Sequence, residues 1–172
     1  MIEALRTTIA LLTTGAADGL WYRIVGGVGV DGHVGHLTRN HADIDGIVLE
    51  EDLPSLLEAL DRVGYELYPW KIKFSVNDVK VELGRLGCDE EAFWSKTMPE
   101  FQWPRQLLEG QEVALEGIRF WVPSKEFLLS TKLEDARPEG EHDRNILLNL
   151  GANLEVAREF QFPWHKHKRN FR

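Results

Sequence analysis

Cysteine is almost missing from this chain. Cys88 stands alone among 172 residues, so no internal disulfide can form and the cytoplasm is the expected compartment. Long apolar runs are missing too. Nothing approaches the roughly 20 consecutive apolar residues of a membrane-crossing helix. The opening Met1-Ile2-Glu3-Ala4-Leu5-Arg6 mixes both charge signs and lacks the basic start and cleavage site of an export signal. No Gly-Lys-Ser or Gly-Lys-Thr occurs, which excludes a Walker A loop. Basic residues are outnumbered, 20 Lys and Arg against 28 Asp and Glu, for a net charge of −8. Sequence-independent affinity for nucleic acid depends on Lys and Arg neutralising phosphates, so this balance argues against it. No repeat or low-complexity linker divides the chain, and its length suits one domain with a real core, or a domain with a small helical appendage.

What the chain does have is a pair of aspartates on a strand-like run, Asp43-Ile44-Asp45-Gly46-Ile47-Val48-Leu49. Residues two apart in a strand share a face, so both carboxylates project the same way. Two adjacent anions are costly unless a proton or cation neutralises them. Magnesium suits such a pair, because it binds through one or two carboxylates plus substrate phosphates. The plainer reading is that each Asp caps a turn or faces water.

The rest of the chain reads as strands early and helices late. Ile2, Leu5, Ile9 and Leu12 recur at helical spacing, for a helix ending near Thr13–Gly15. Trp21 to Val25 reads as a strand, followed by a short helix around Val28–Val34 and a second strand from Asp43 to Leu49. Leu53, Leu56, Leu57 and Leu60 form a helical stripe with Asp52 as N-cap and Pro54 in the first turn. Lys71–Val76 and Val79–Leu83 form a hairpin through Asn77-Asp78. Residues 88 to 110, with Pro99 and Pro104, read as irregular. Ile118 to Val122 is a strand, and helices follow over Ser124–Leu133, Glu141–Leu150 and Leu154–Phe160. The sum is an α/β or α+β domain, with a mixed sheet flanked by helices and a short helical C-terminal part.

The segment from Gly26 to Asp45 supports two readings of its glycines. Gly27-x-Gly29-x-x-Gly32 fits the dinucleotide-binding fingerprint, with Glu50 at about the expected distance downstream. Against that, Gly35, Thr38 and Asn40 make a poor crossover helix. The aspartates would also go unexplained, and too few strand–helix–strand alternations follow. The same segment resembles the nucleotidyltransferase superfamily with the DNA-polymerase-β-like fold, and in particular the small lincosamide and aminoglycoside nucleotidyltransferases. The resemblance rests on Gly26, Gly27, Asp31, Gly35, Thr38, Arg39, His41, Asp43 and Asp45 in order. Val28 departs from it, since the family often carries Trp there.

That resemblance implies the nucleotidyltransferase fold, with a sheet domain over 1–123 and a helical part over 124–172 packed on it. It also implies transfer of a nucleoside monophosphate from a nucleoside triphosphate, ATP more than others, to a hydroxyl of a small acceptor such as an aminoglycoside or lincosamide. Asp43 and Asp45 would hold Mg²⁺, with Glu82 as third carboxylate in Val81-Glu82-Leu83-Gly84, where the family usually has Asp followed two positions later by His. In-line displacement at phosphorus builds charge on the attacking and leaving oxygens, which two metal ions roughly 3.5–4 Å apart stabilise. Glu82 is also the candidate for the acceptor proton.

Gly26 and Gly27 would let backbone N–H groups approach phosphate. Arg39 either forks onto phosphate oxygens or pairs with a carboxylate, and His41 either orients Asp43, touches nucleotide or serves as a support. Asp31 is expected to shape the glycine turn or hold Arg39. Lys132 matches a lysine that the resemblance places near the phosphates. His142-Asp143 matches a Lys-Asp pair with the lysine replaced, and Asp143 is expected to pair with Arg144 or Lys132. Two other functions stay open: nucleotidylation of RNA or protein, on the strength of the basic, aromatic tail from Trp164 to Arg172, in which His165 and His167 have a spacing a metal could use, and nucleotide binding without turnover, motivated by Glu82 and the missing Trp and His.

Overall fold

A computed structural model describes residues 1–14 and 19–161; the tail from Trp164 onward lies outside the described residues. The elements run α1 (Ile2–Thr14), β1 (Tyr22–Val25), α2 (Gly26–Val34), β2 (Asp43–Leu49), α3 (Leu53–Leu60), β3 (Glu66–Leu67), β4 (Lys71–Val76) and β5 (Val79–Cys88). Then follow β6 (Ala92–Ser95), β7 (Met98–Pro104), α4 (Arg105–Glu109), β8 (Gln111–Leu115), β9 (Ile118–Val122), α5 (Lys125–Lys132), α6 (Pro138–Asn149) and α7 (Leu154–Glu159). A sheet in the order β1-β2-β5-β4-β3 carries β6 and β7 beyond β5, while β8 and β9 form a separate hairpin. Among the described residues, only β2 and β5 pair in parallel; the other pairs are antiparallel.

Strand alternation gives the sheet two unlike faces. Ile24, Ile44, Val48, Ile72, Val81 and Leu83 point to one side and pack against Leu5 and Leu12 of α1 and Leu56 and Leu60 of α3, all fully buried. Each such side chain contributes on the order of 1.5–3 kcal/mol by leaving water. The other face is polar where β2 and β5 begin, at Asp43, Asp45 and Glu82. It turns apolar further along at Ile47, Leu49 and Leu86, which pack with Phe93, Trp103, Leu108 and Phe127. Val81 and Leu83 thus point away from Glu82, into the core.

The β4–β5 turn has Asn77 and Asp78 at positive φ, 48° and 63°, the two-residue geometry whose twist suits a hairpin. That turn sets the register Val76↔Val79, Phe74↔Val81, Lys73↔Glu82.

Three local expectations are corrected and one strand went unassigned. Residues 88 to 110 are not irregular but form β6, β7 and α4. Pro99 and Pro104 are tolerated because, among the described residues, β7 pairs only with β6 and has a ladder on one side. Strand β5 runs on to Cys88 past two glycines, because Trp94 lies across Gly87, where an added Cβ would sit 2.4 Å from its Nε1. Strand β8, exposed at Gln111, Glu112 and Ala114, carries only Val113 and Leu115 as inward apolar residues, too short an alternation to stand out. Asp52 does not cap α3 with its side chain but accepts the Trp21 backbone N–H at 2.9 Å, tying α3 to the start of β1. Ser124, by contrast, caps α5 as expected, accepting from the Phe127 N–H at 3.1 Å.

Candidate functional site

The parallel pairing of β2 with β5 sets Asp45 opposite Glu82 and Asp43 opposite Lys80. Residue Val25 of β1 is the partner of Asp45 on its other side. The chain then turns at once into α2 through Gly26, whose φ of +62° suits glycine. A Cβ there would lie 2.6 Å from Asp45 Oδ2. One on Gly27 would lie 2.2 Å from Arg39 Nη2. The glycine pair therefore lets the first turn of α2 settle between the aspartate and the loop before β2. Gly26→Ala is expected to cost about 1–3 kcal/mol, from left-handed backbone and the collision with Asp45. A urea midpoint equal to wild type would contradict this placement.

Two buried carboxylates hold the loop that delivers the aspartates. Asp31 of α2, fully buried, accepts from Thr38 Oγ1 at 2.6 Å and Thr38 N at 3.1 Å, and contacts His41 Nε2 at 2.6 Å. Asp143 of α6, also fully buried, accepts from Arg39 Nε at 3.0 Å and Nη2 at 2.9 Å, with Lys132 Nζ at 2.9 Å. Burial alone would raise the Asp143 carboxyl, but the hydrogen bonds from Arg39 and Lys132 outweigh it and hold it below its ordinary value. His142 Nε2 reaches Thr38 Oγ1 at 3.1 Å. Arg39 thus forks onto Asp143 and not onto Asp31, and His41 sits on Asp31 and not on Asp43. Asp143 takes Lys132 as its partner, while Arg144 donates to the Lys132 carbonyl.

Electrostatics separates the three candidate carboxylates. Asp45 is pushed up to about 6, first by burial and then by Asp43, with Glu82 adding to it and Lys132 and Arg137 opposing it. Glu82 lies on the same face, but its oxygens are engaged by Lys71 Nζ at 2.5 Å and Lys73 Nζ at 2.9 Å. Burial raises its carboxyl; those two lysines outweigh burial and bring it below the ordinary range. Among the described residues, no three acidic, His or Cys side chains gather around one ion-sized point. Two aspartates on one face, one of them held above its ordinary range by burial and by the other, form a hard-oxygen donor set that a divalent cation relieves. The residues present fit such an ion.

Lys71 and Lys73 went unread in the sequence, although counting back from the Asn77-Asp78 turn places Lys73 directly opposite Glu82. Arg137 was also missed. It sits near enough to Asp43 to feel its charge, and its guanidinium pairs with Asp135 at 2.8 Å. The third omission is a cavity of about 120 Å³ further along the same sheet face, between Ile47 and Gly84 on one side and Trp103 and Phe127 on the other.

Residues 9–115, more than half of the chain, match the profile of the aminoglycoside-2''-adenylyltransferases. The chain belongs to this family. It is therefore a nucleotidyltransferase, and the dinucleotide-binding reading of Gly27, Gly29 and Gly32 falls. No curated protein sequence matches the chain significantly.

Among solved structures, the antibiotic-resistance factor ANT(2'')-Ia superposes with a TM-score of 0.70 at 18% identity, covering 99% of this chain and 96% of that one. A crystal structure of ANT(2'')-Ia with adenylyl-2''-tobramycin gives 0.67 at 18% identity, with 95% and 98% covered. The lincomycin-bound lincosamide adenylyltransferase LnuA gives 0.71 at 18% identity, over 87% and 98%. The mixed, mostly antiparallel sheet with its flanking helices is thus the nucleotidyltransferase fold. Among the described residues, no helix of this family member is long and apolar enough to cross a membrane.

Proposed function

We propose that this protein uses ATP and Mg²⁺ to transfer an adenylyl group to a hydroxyl of a small antibiotic. The carrying observation is Asp43 and Asp45 together on the open face of β2, under the glycine turn into α2. Asp43 and Asp45 would hold the metal. Bound there, it would neutralise charge on the triphosphate and on the oxygens that attack and leave phosphorus. Gly26 and Gly27, at the N-terminal turn of α2, present backbone N–H groups to phosphate with no side chain in the way. Lys132 and Arg39 act through Asp143: the three fix the loop ahead of Asp43, and the two cations add positive potential behind the aspartates. That potential favours the anionic nucleotide.

Glu82 faces the same region as an ionised carboxylate and is the candidate for the acceptor hydroxyl's proton; Lys71 and Lys73, which hold it below the ordinary range, weaken it as a base until those contacts loosen. ANT(2'')-Ia with adenylyl-2''-tobramycin and LnuA with lincomycin support a small-antibiotic acceptor.

The test is linkage. A ligand that binds only the folded state stabilises it by mass action, about 2.7 kcal/mol at a hundredfold excess over Kd. The melting-temperature shift with ATP and Mg²⁺ together is expected to exceed the sum of the two separate shifts. Additive shifts, or none with any nucleoside triphosphate, would count against a joint site.

A further inference from the structure

Four of the cations around the aspartate pair already have carboxylate partners. Lys71 and Lys73 both bind Glu82, and Arg39 and Lys132 both bind Asp143. Lys80, opposite Asp43 in β5, is exposed, and no contact among the described residues fixes its ammonium group. Arg137 is different. It is the N-cap residue of α6, its side chain is 75% exposed, and it is held by one edge. Nε donates to Asp135 Oδ1 and Nη2 to Oδ2, both at 2.8 Å. The Nη1 side of the guanidinium meets no partner among the described residues.

The seat that fixes this edge does not serve stability. Asp135 accepts a third hydrogen bond, from the Arg137 backbone N–H at 3.2 Å. It lies against Gly140 of α6, where an added Cβ would come 2.3 Å from its Cγ. Glycine within a helix is less stable than alanine, and an exposed ion pair contributes little. What the seat does achieve is direction. An arginine immobilised by one edge presents the other in a fixed orientation, and that edge matches two oxygens of a phosphate.

The network around Asp143 sets where that edge lies. Asp143, less than two turns further along α6, is tied to Arg39, and its neighbour His142 to Thr38. The start of α6 is thereby kept beside the loop that delivers Asp43. Arg137 is close enough to Asp43 and Asp45 for their charges to couple.

We propose that Arg137, fixed by Asp135, grips the pyrophosphate end of the nucleoside triphosphate with its open edge. This rests on the transfer reading above and adds a residue to it. Attack of the acceptor oxygen on the α-phosphorus breaks the bond to the bridging oxygen. The electron pair of that bond departs with pyrophosphate, and the acceptor's proton goes to the base. A guanidinium already on the β- and γ-phosphates holds the group on which that charge ends.

The probes are inorganic pyrophosphate, ATP and AMP, each with Mg²⁺, titrated by calorimetry. Arg137→Met is expected to weaken pyrophosphate and ATP about 10- to 100-fold, the scale of hydrogen bonds to charged groups, and AMP by less than about twofold. Arg137→Lys, a point charge without the fork, should recover only part of the loss. Arg119→Met removes the same charge from the exposed β8–β9 hairpin and, screened by solvent, should leave all three affinities within about twofold of wild type. Equal losses for AMP and pyrophosphate would put Arg137 elsewhere on the nucleotide and overturn the inference. Unchanged ATP and pyrophosphate affinity in a folded Arg137→Met protein would overturn it too, as would the same loss in Arg119→Met. A wild-type protein that binds neither ATP nor pyrophosphate with Mg²⁺ sinks the transfer reading instead.

Discussion

Asp45→Asn is expected to lower adenylyl transfer by at least about a hundredfold, the scale of removing one preorganised electrostatic element, while making the metal-free protein more stable. The second half follows from its environment. Burial and Asp43 move the Asp45 carboxyl from 3.8 to about 6, so ionising it in the folded state is unfavourable by at most about 3 kcal/mol. For a carboxyl raised by folding, the unfolded chain releases its proton first as pH climbs. Stability therefore falls between about pH 4 and 6 and stays lower above that. The Asn variant escapes this loss. In chelator-treated protein at pH 7–8 its melting temperature should exceed wild type by about 2–8 °C. The difference should shrink as pH falls through 6 and vanish near 4. Asp43→Asn should share the loss of transfer, since it removes the neighbouring carboxylate. A variant of either residue that unfolds the protein would mean that the pair holds the structure together.

Asp143→Ala should do the opposite and cost stability outright. Its fully buried carboxylate is the shared partner of Arg39 and of Lys132, itself only 7% exposed. Removing it leaves the buried Lys132 and the half-buried Arg39 uncompensated, a loss of about 3–5 kcal/mol, which at this chain length means a melting temperature lower by roughly 10 °C or more. The Asp143 carboxyl is lowered by folding, so its contribution is fully present above about pH 4 and is lost only as pH falls through its folded value. The penalty of the variant should accordingly be constant from pH 8 to 5. Arg119→Ala supplies the contrast: its pairing with Glu112 is on the exposed β8–β9 hairpin and should be worth under about 1 kcal/mol. Equal losses for the two variants, in chemical denaturation followed by circular dichroism, would contradict the role given to Asp143.

Much of this architecture could be read from residue pattern alone, and the failures have physical causes. Asp43–Leu49 stood out because alternation and β-branched residues coincide there, and its bounds match the observed strand. The hairpin through Asn77-Asp78 was legible because that turn admits few backbone geometries. Strands β6 and β7 were not, because aromatic residues among prolines carry no clear period, and an edge strand tolerates what a central one does not. At the site, the aspartates and glycines were legible because they lie within twenty positions of each other in sequence. The Arg39–Asp143 fork spans 104 positions and depends on how α6 packs, which no local pattern records. Lys71 and Lys73 fall between these cases. Their register with Glu82 was countable, but that both would turn onto its carboxylate is a matter of side-chain packing.

The most direct test of the central claim follows the phosphorus itself. Purified protein is incubated with ATP labelled at the α-phosphate, Mg²⁺ and, separately, lincomycin or tobramycin, and label is sought on the antibiotic together with pyrophosphate. The account predicts acceptor-dependent pyrophosphate release with equimolar labelled adenylyl product, lost in Asp43→Asn and Asp45→Asn protein that still melts cooperatively. Transfer that persists at wild-type rate in both variants would contradict it, and so would ATP and Mg²⁺ binding with no label reaching either acceptor.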